Sequence, residues 1–314
     1  MSKTINILFF GSTTDSVIVL EKLVNLPACA GRSNVNWSIV AIVTQPPRPI
    51  GRNHIVTPTP VEVWSKKRNI TVLSFESNPD KPWLYKDEQQ VIDTLQSIQP
   101  DILISASYGQ KIPWETILKA PYGGLNIHPS ILPRWRGGDP VPWAILTGDH
   151  QIGVTVVTLA KKFDEGLIMA QKKIPISSND TSDPLRTKLF VLGSELLVHL
   201  LPNHIRGAIK GIVQQSKNEP QAKRLSRDLG REPWEILEQV INEGKDTDRI
   251  ERKFRALLPW PGVWTSWEDK RLKILQLHLN NEKLVIDTVQ LEGKKPVSWE
   301  QFKKSYLDTA NKSN

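Results

Sequence analysis

The first two hundred residues alternate short apolar runs with helix-like stretches, and this alternation restricts the possible folds more than any other feature. Residues 5–11 form an apolar run closed by Gly11. Ser12, Thr13 and Asp15 follow, which are turn and N-cap residues. Apolar or β-branched runs recur at 37–43, 71–74, 101–107, 125–127, 153–159 and 167–176. Helical patterns fill 15–24, 60–67, 86–98 and 181–201, the second with Pro60 in its first turn. This order predicts an α/β fold: a Rossmann-like, doubly wound, mainly parallel sheet with helices on both faces. Such sheets bind ligands beyond the carboxyl ends of their strands.

The periodicity stops near residue 206. Residues 206–222 mix Gly, Gln, Ser, Lys, Asn and Pro and read as a linker. Beyond them, 234–239 and 247–258 read as helices. The runs 263–267, 272–278, 284–288 and 297–299 read as close-spaced strands, the pattern of a small OB-like β-barrel. The expected organisation is a first domain over 1–205, a linker over 206–222 and a C-terminal domain over 223–314.

A chain of 314 residues can bury a core without covalent staples. Its one cysteine, Cys29, permits no internal disulfide. Residues 1–7 lead into the first apolar run without a basic leader or cleavage site. No run approaches the ~18 apolar residues of a membrane helix. A cytoplasmic protein with no membrane partner is expected. The net charge of +8 and the pI near 9.4 fit a polyanionic partner such as RNA. Many soluble proteins are basic, however, and charge alone does not choose. The 11 tryptophans are expected in the core, in groove walls, or as platforms for flat heteroaromatic rings.

The chemistry concentrates in Gly124-Leu125-Asn126-Ile127-His128-Pro129-Ser130-Ile131-Leu132-Pro133-Arg134-Trp135-Arg136-Gly137-Gly138. Asn126 and His128 are two apart on a strand and share a face, while Ile127 points the other way. Pro129 and Pro133 end the sheet ladder, so the two polar side chains stand at a carboxyl strand end. An Asn amide can donate to a developing oxyanion, and a His can carry a proton near neutrality. Asp164, between two apolar runs, is the carboxylate placed to orient the His. Each residue alone also has a structural reading: His128 as a hydrogen-bonding core group, Asn126 as a turn cap, Asp164 as a hairpin residue. No HxxxH or CxxC pattern exists, so no metal is expected.

This segment resembles the core motif of the methionyl-tRNA formyltransferases, in the folate-dependent formyltransferase superfamily. Gly153-Val154-Thr155 followed by Asp164-Glu165-Gly166 is similar to the strand and turn that carry the family's catalytic Asp. The resemblance spans nearly the whole chain and implies Asn126, His128 and Asp164 as the catalytic set. It implies 10-formyltetrahydrofolate as formyl donor. Asn126 and protonated His128 would stabilise a tetrahedral oxyanion, and Asp164 would pair with His128 and help move a proton from the attacking amine. Ser130, Ile131, Leu132 and Pro133 would line the folate site, largely through backbone groups, with Tyr108 and Gly109 shaping the pterin pocket.

The superfamily also holds sugar-amine formyltransferases with the same catalytic set, so that set does not choose the acceptor. The segment from Thr44 through Arg48, Gly51, Arg52 and His54 to Thr57-Pro58-Thr59-Pro60 resembles the loop of the tRNA enzymes that enters the acceptor stem. Asn53 and His54 stand where the family has lysines. Phe254-Arg255-Ala256-Leu257-Leu258-Pro259-Trp260-Pro261-Gly262, and the run from Val289 to Trp299 and Phe302, are similar to C-terminal signatures of the tRNA enzymes. Initiator methionyl-tRNA is the acceptor this implies, with Arg48, Arg52, Arg134 and Arg136 on the RNA side and a monomer as the working form. An amino-sugar nucleotide is the alternative. Lys161-Lys162 before Asp164, Ala170-Gln171 after it, and Pro142-Trp143 in place of Gln-Arg favour that alternative. A catalytically silent RNA- or nucleotide-binding module is a third reading, although Gly11-Ser12-Thr13-Thr14-Asp15 is not GxGxxG.

Overall fold

The computed structural model describes residues 3–26, 35–51, 53–215, 218–281 and 283–307. The chain divides into two compact units. One comprises Met1–Pro140, Gln151–Pro175 and Arg186–Ala222, and the other Val141–His150, Ile176–Leu185 and Lys223–Asn314.

The elements up to residue 222 run β1 (Lys3–Phe10), α1 (Thr14–Val24), β2 (Val35–Thr44), β3 (Arg48–Ile50), β4 (Ile55–Thr57), α2 (Pro60–Lys66), β5 (Val72–Ser74), α3 (Glu88–Ser97), β6 (Ile102–Ala106), α4 (Trp114–Lys119), β7 (Gly124–His128), β8 (Arg136–Gly137), α5 (Pro140–Leu146), β9 (Gln151–Thr158), β10 (Ile168–Pro175), α6 (Ser182–Ile205) and β11 (Gln221–Ala222). Seven strands form the main sheet of the first unit, in the order β10-β9-β7-β6-β1-β2-β5. Strands β5, β2, β1, β6 and β7 are parallel, as the alternation predicts. Strand β9 runs antiparallel to β7, and β10 antiparallel to β9. The connection 159–167 is too short for a crossover, so β9 and β10 close as a hairpin.

Strand β1 is apolar on both faces because both are covered: Ile5, Ile7, Leu8, Phe9 and Phe10 are all fully buried. On one side Leu8, Phe10, Val43 and Leu103 pack with Val91 and Leu95 of α3 and Ile117 of α4. Helix α1 opens with a capping box between Thr13 and Ser16. The Ser16 hydroxyl also donates to the Ala106 carbonyl at 2.7 Å, tying the helix start to the end of β6. Helix α6 lies close under the other end of the sheet. A Cβ at Gly193 would come within 2.6 Å of Ile127 and 2.7 Å of Val154. The outer strand β10 carries Lys172, Lys173 and Pro175, all exposed.

Two features depart from expectation. The segment from Arg48 to Thr57, read as a loop, contains the antiparallel pair β3–β4. The stretch 206–222, read as a linker, is laid onto the first unit. Ile212 exchanges two 2.9 Å backbone hydrogen bonds with Ile168, and β11 pairs in parallel with β8. Pairings this short leave no periodicity in the sequence to read.

The second unit holds α7 (Trp234–Glu243), α8 (Thr247–Leu257), β12 (Val263–Trp267), β13 (Lys270–Asn280), β14 (Lys283–Leu291), β15 (Val297–Ser298) and α9 (Trp299–Phe302). Its strands form an antiparallel meander, β12-β13-β14-β15, a small β domain where close-spaced strands were expected. Leu237 and Val240 of α7, and Ile250 and Phe254 of α8, recur at helical spacing and meet Val263, Leu272, Ile274, Leu284, Ile286 and Val289. Trp234 and Trp267 meet edge to face at 4.9 Å, and Trp299 stacks on Phe302 at 5.5 Å, so these tryptophans belong to the core. Among the described residues no helix is long and apolar enough to cross a membrane.

Candidate active site

Strand β7 delivers Asn126 and His128 to one end of the sheet in the first unit, and the β9–β10 hairpin delivers Asp164 to the same place. Asn126 Nδ2 donates to Asp164 Oδ1 at 3.4 Å, and His128 Nδ1 lies 3.4 Å from the same oxygen. The other carboxylate oxygen, Oδ2, accepts the Gly137 N–H at 3.0 Å. The side chains of His128 and Asp164 are only 6% and 9% exposed, so their attraction is little screened by solvent. The three residues singled out in the sequence are thus brought together.

His128 Nε2 lies 2.9 Å from the Trp135 carbonyl. A carbonyl only accepts, so Nε2 carries a hydrogen and Nδ1 is the nitrogen that faces Asp164. This aim is held by backbone in the left-handed region, φ 62° at Trp135 and 56° at Asp164. Such conformations in non-glycine residues cost on the order of 1–3 kcal/mol each and persist where the surroundings over-determine them.

The loop from Ser130 to Pro133 is fixed from below by β9 and β10. The Thr155 hydroxyl donates to Ser130 O at 2.7 Å and accepts from Leu132 N at 3.2 Å and Gln171 Nε2 at 2.9 Å. Gln171 Nε2 also donates to Leu132 O at 2.8 Å, and the Ser130 hydroxyl to Arg134 O at 2.8 Å. A Cβ at Gly153 would fall 2.4 Å from the Lys172 carbonyl oxygen and 2.9 Å from the Ile131 side chain, which explains the glycine of Gly153-Val154-Thr155. Much of the loop's polar backbone is therefore engaged inside the protein and Leu132 is buried in the core, leaving second carbonyl lone pairs and the half-buried side chains of Ile131 and Pro133 for a ligand.

The β6–β7 register pairs Ser105 with Asn126 and Ala106 with Ile127, so the turn 107–109 emerges beside His128. Gly109 takes φ 86° and is exposed. The Tyr108 ring is buried against Phe10 and its hydroxyl lies 2.9 Å from that of Tyr85. Burial pushes both phenols above their ordinary range. Tyr108 thus offers this turn its main chain, and Ser12 uses part of it by donating to Tyr108 O at 3.4 Å.

The four arginines separate. Arg48 is exposed on β3. Arg52 lies outside the described residues. Arg134 stacks over Trp135 at 4.6 Å and lies 3.9 Å from Glu219. The Arg136 side chain is 14% exposed and lies 3.6 Å from Glu165. It donates to Gln214 Oε1 from Nε at 3.1 Å and from a terminal nitrogen at 2.7 Å. Gln214, Thr155 and the Trp135 carbonyl are site residues that motif reading passed over. Among the described residues no group of three or more His, Cys, Asp or Glu side chains is placed to hold a metal ion.

An amide donor and a histidine converging on one carboxylate, beside a rigid loop, suit acyl-type transfer through an oxyanion. Comparison with known proteins agrees. The Formyl transferase model matches residues 5–201, and the Formyl transferase, C-terminal domain model matches 238–284. Methionyl-tRNA formyltransferase of Enterococcus faecalis is 35% identical, covering 85% of this chain and 77% of its own. Its namesake in Roseiflexus castenholzii is 32% identical over 94% of both chains. Among solved structures, a sugar N-formyltransferase from Shewanella superposes with TM-score 0.59 at 18% identity, covering 93% of this chain and 99% of that one. Methionyl-tRNA formyltransferase from Clostridium thermocellum gives 0.54 at 14%, covering 91% and 98%, so both share the fold. With Asn126, His128 and Asp164 brought together and both family models matched, this chain belongs to the formyl transferase family, and within it to the methionyl-tRNA formyltransferases.

Proposed function

We propose that the protein transfers a formyl group from 10-formyltetrahydrofolate to the amino group of initiator methionyl-tRNA, as a monomer in the cytoplasm. The convergence of Asn126 and His128 on one oxygen of Asp164 carries the chemical half of this reading. The relatives named for the tRNA reaction, one of them matched over 94% of both chains, support the acceptor. A folate fits the residues present: the fixed loop 130–133 and the turn 107–109 lie on either side of His128 and offer apolar and carbonyl surface to a flat ring. Tetrahydrofolic acid is bound by HypX of Aquifex aeolicus, which shares the fold with TM-score 0.56 at 18% identity. The folate supplies the formyl carbon.

The residues of this chain do the rest. Asn126 has two amide hydrogens. One rests on Asp164, and the other serves an oxygen that becomes negative as the amine nitrogen bonds to the formyl carbon. His128, with Nε2–H committed to Trp135, offers a second donor from Nδ1. The 3.4 Å contact to Asp164 is long, so the Nδ1 hydrogen, fixed in the ring plane, can be shared with an oxyanion beside the carboxylate oxygen. Asp164 Oδ1 takes the proton that the amine sheds and passes it to the folate nitrogen as the carbon–nitrogen bond to the folate breaks, so that no net proton is gained or lost.

The test is formyl transfer from 10-formyltetrahydrofolate to charged initiator tRNA, beside free methionine and a panel of amino-sugar nucleotides. Transfer to the tRNA alone is expected. Transfer to a sugar nucleotide instead would overturn the acceptor and keep the triad. RNA binding without turnover on any amine would mean a silent module.

A further inference from the structure

We infer that Gln214 is a positioning residue for the catalytic carboxylate. Its amide nitrogen donates to Asp164 O and to Gly166 O, both at 2.7 Å, so one side chain closes both ends of the left-handed turn that carries the carboxylate. Its oxygen accepts two hydrogen bonds from Arg136. Every strong polar group of the amide is thereby used in one clamp. Arg136 also reaches Glu165 at 3.6 Å, and the neighbouring Gly137 N–H holds Asp164 Oδ2. The turn 164–166 and the segment 136–137 are therefore joined through Gln214 at the main chain and through Asp164 at the carboxylate.

The turn cannot hold this position by itself. Asp164 sits at φ 56°, where a non-glycine residue is strained, and Phe163, Glu165 and Leu167 beside it are exposed. On its other side the turn presses on β9 so closely that a Cβ at Gly166 would fall 1.8 Å from Thr158 O. Gln214 counters that strain from the solvent side, anchored where Ile212 pairs with Ile168. Loss of the two amide donors frees the carboxylate to drift from His128 Nδ1 and Asn126. A misplacement of about 1 Å at a reacting group costs on the order of 10²-fold in rate.

The kinetic part of the test rests on the formyl-transfer reading, and the exchange part does not. Gln214→Glu keeps length and the acceptors for Arg136 but replaces both donors with a carboxylate facing two carbonyls. Gln214→Leu removes all four bonds. Amide hydrogen exchange at Gly137 in the substrate-free protein is expected to accelerate at least about tenfold in both variants, since the partner of that N–H rides on the turn. Formyl-transfer kcat is expected to fall about 10- to 100-fold in both, with KM for the folate within about twofold and melting temperature little changed. Unchanged Gly137 exchange overturns the clamp whether or not formyl is transferred. Wild-type kcat in the Glu variant overturns it too, because the Arg136 link alone would then suffice. If the wild type transfers formyl to no amine, the formyl-transfer reading fails, and the exchange measurement still decides the role of Gln214.

Discussion

The carbonyl of Trp135 fixes the tautomer of His128: at 2.9 Å from Nε2 it places the ring hydrogen there and turns Nδ1 to face Asp164. The imidazole therefore presents its Nδ1 edge to the carboxylate.

Asp164→Asn follows from this arrangement. The Asn oxygen can keep the Gly137 N–H, which turns an NH2 toward His128. An NH2 donates to a bare Nδ1, so that nitrogen has no hydrogen to give an oxyanion. Turnover should fall about 10³- to 10⁴-fold, on the scale known for replacing the carboxylate partner of a histidine by its amide. Thermal melting should stay within a few degrees. Full activity in a steady-state transfer assay would place the carboxylate's role elsewhere.

Asn126→Ala removes one oxyanion donor and leaves Asp164 with its bonds to Gly137 and His128. We expect kcat to drop about 10²- to 10³-fold with KM nearly constant, because the lost bond forms mainly in the transition state. A change confined to KM would show instead that Asn126 holds the ground state.

Thr155→Val preserves shape and deletes a buried hydroxyl with three partners. Leu132 N–H then lacks its acceptor and Ser130 O its donor. Each unsatisfied group costs about 1–3 kcal/mol, which in a unit of this size lowers the melting temperature by roughly 2–4 °C per kcal/mol. Equilibrium dialysis with a folate should also show weaker binding, since the loop 130–133 loses its floor. Unaltered melting and folate affinity together would mean that Gln171 holds the loop alone.

Glu232 in the second unit gives a pH prediction. Burial pushes its carboxyl up, but hydrogen bonds from Arg249 and Lys253, both 2.6 Å, outweigh this and hold it below the ordinary range. A depressed carboxyl contributes stability that is present above its unfolded value, about 4.3, and is lost as pH falls through the folded value. Wild-type melting should decline with acid below about pH 4.5, and Glu232→Gln should flatten that part of the profile. At neutral pH the same variant should lose stability toward the lower end of roughly 3–5 kcal/mol, because Arg249 remains 43% exposed and can rehydrate. Identical acid limbs in the two proteins would remove Glu232 from the account.

The pair on β7 was legible because a strand's period of two put Asn126 and His128 on one face, and Pro129 marked where the strand had to end. Asp164 stood out by its place between two apolar runs, and the resemblance of Gly153-Val154-Thr155 and Asp164-Glu165-Gly166 to the family's motif singled it out further. Gln214 was not legible. It lies about fifty residues from the turn it clamps, and its acceptors are main-chain carbonyls, which no side-chain pattern encodes. The role of Thr155 was hidden for a related reason: in sequence it is one more β-branched residue in a buried strand, and only the register of β9 against β7 shows its hydroxyl under Ser130. The sheet was readable as mainly parallel, and the short connection 159–167 explains why β10 turns back on β9.

The hairpin that presents Asp164 ends in a strand whose outer side is paired with Ile212 at Ile168 and, farther along, is the last in the sheet order. There Lys172 and Lys173 would repel a second copy of the same strand, and Pro175 offers no N–H to a new ladder. Such an edge is a poor template for strand exchange or fibril growth. The hairpin that carries Asp164 can thus lie at the margin of the sheet without becoming a seed for aggregation.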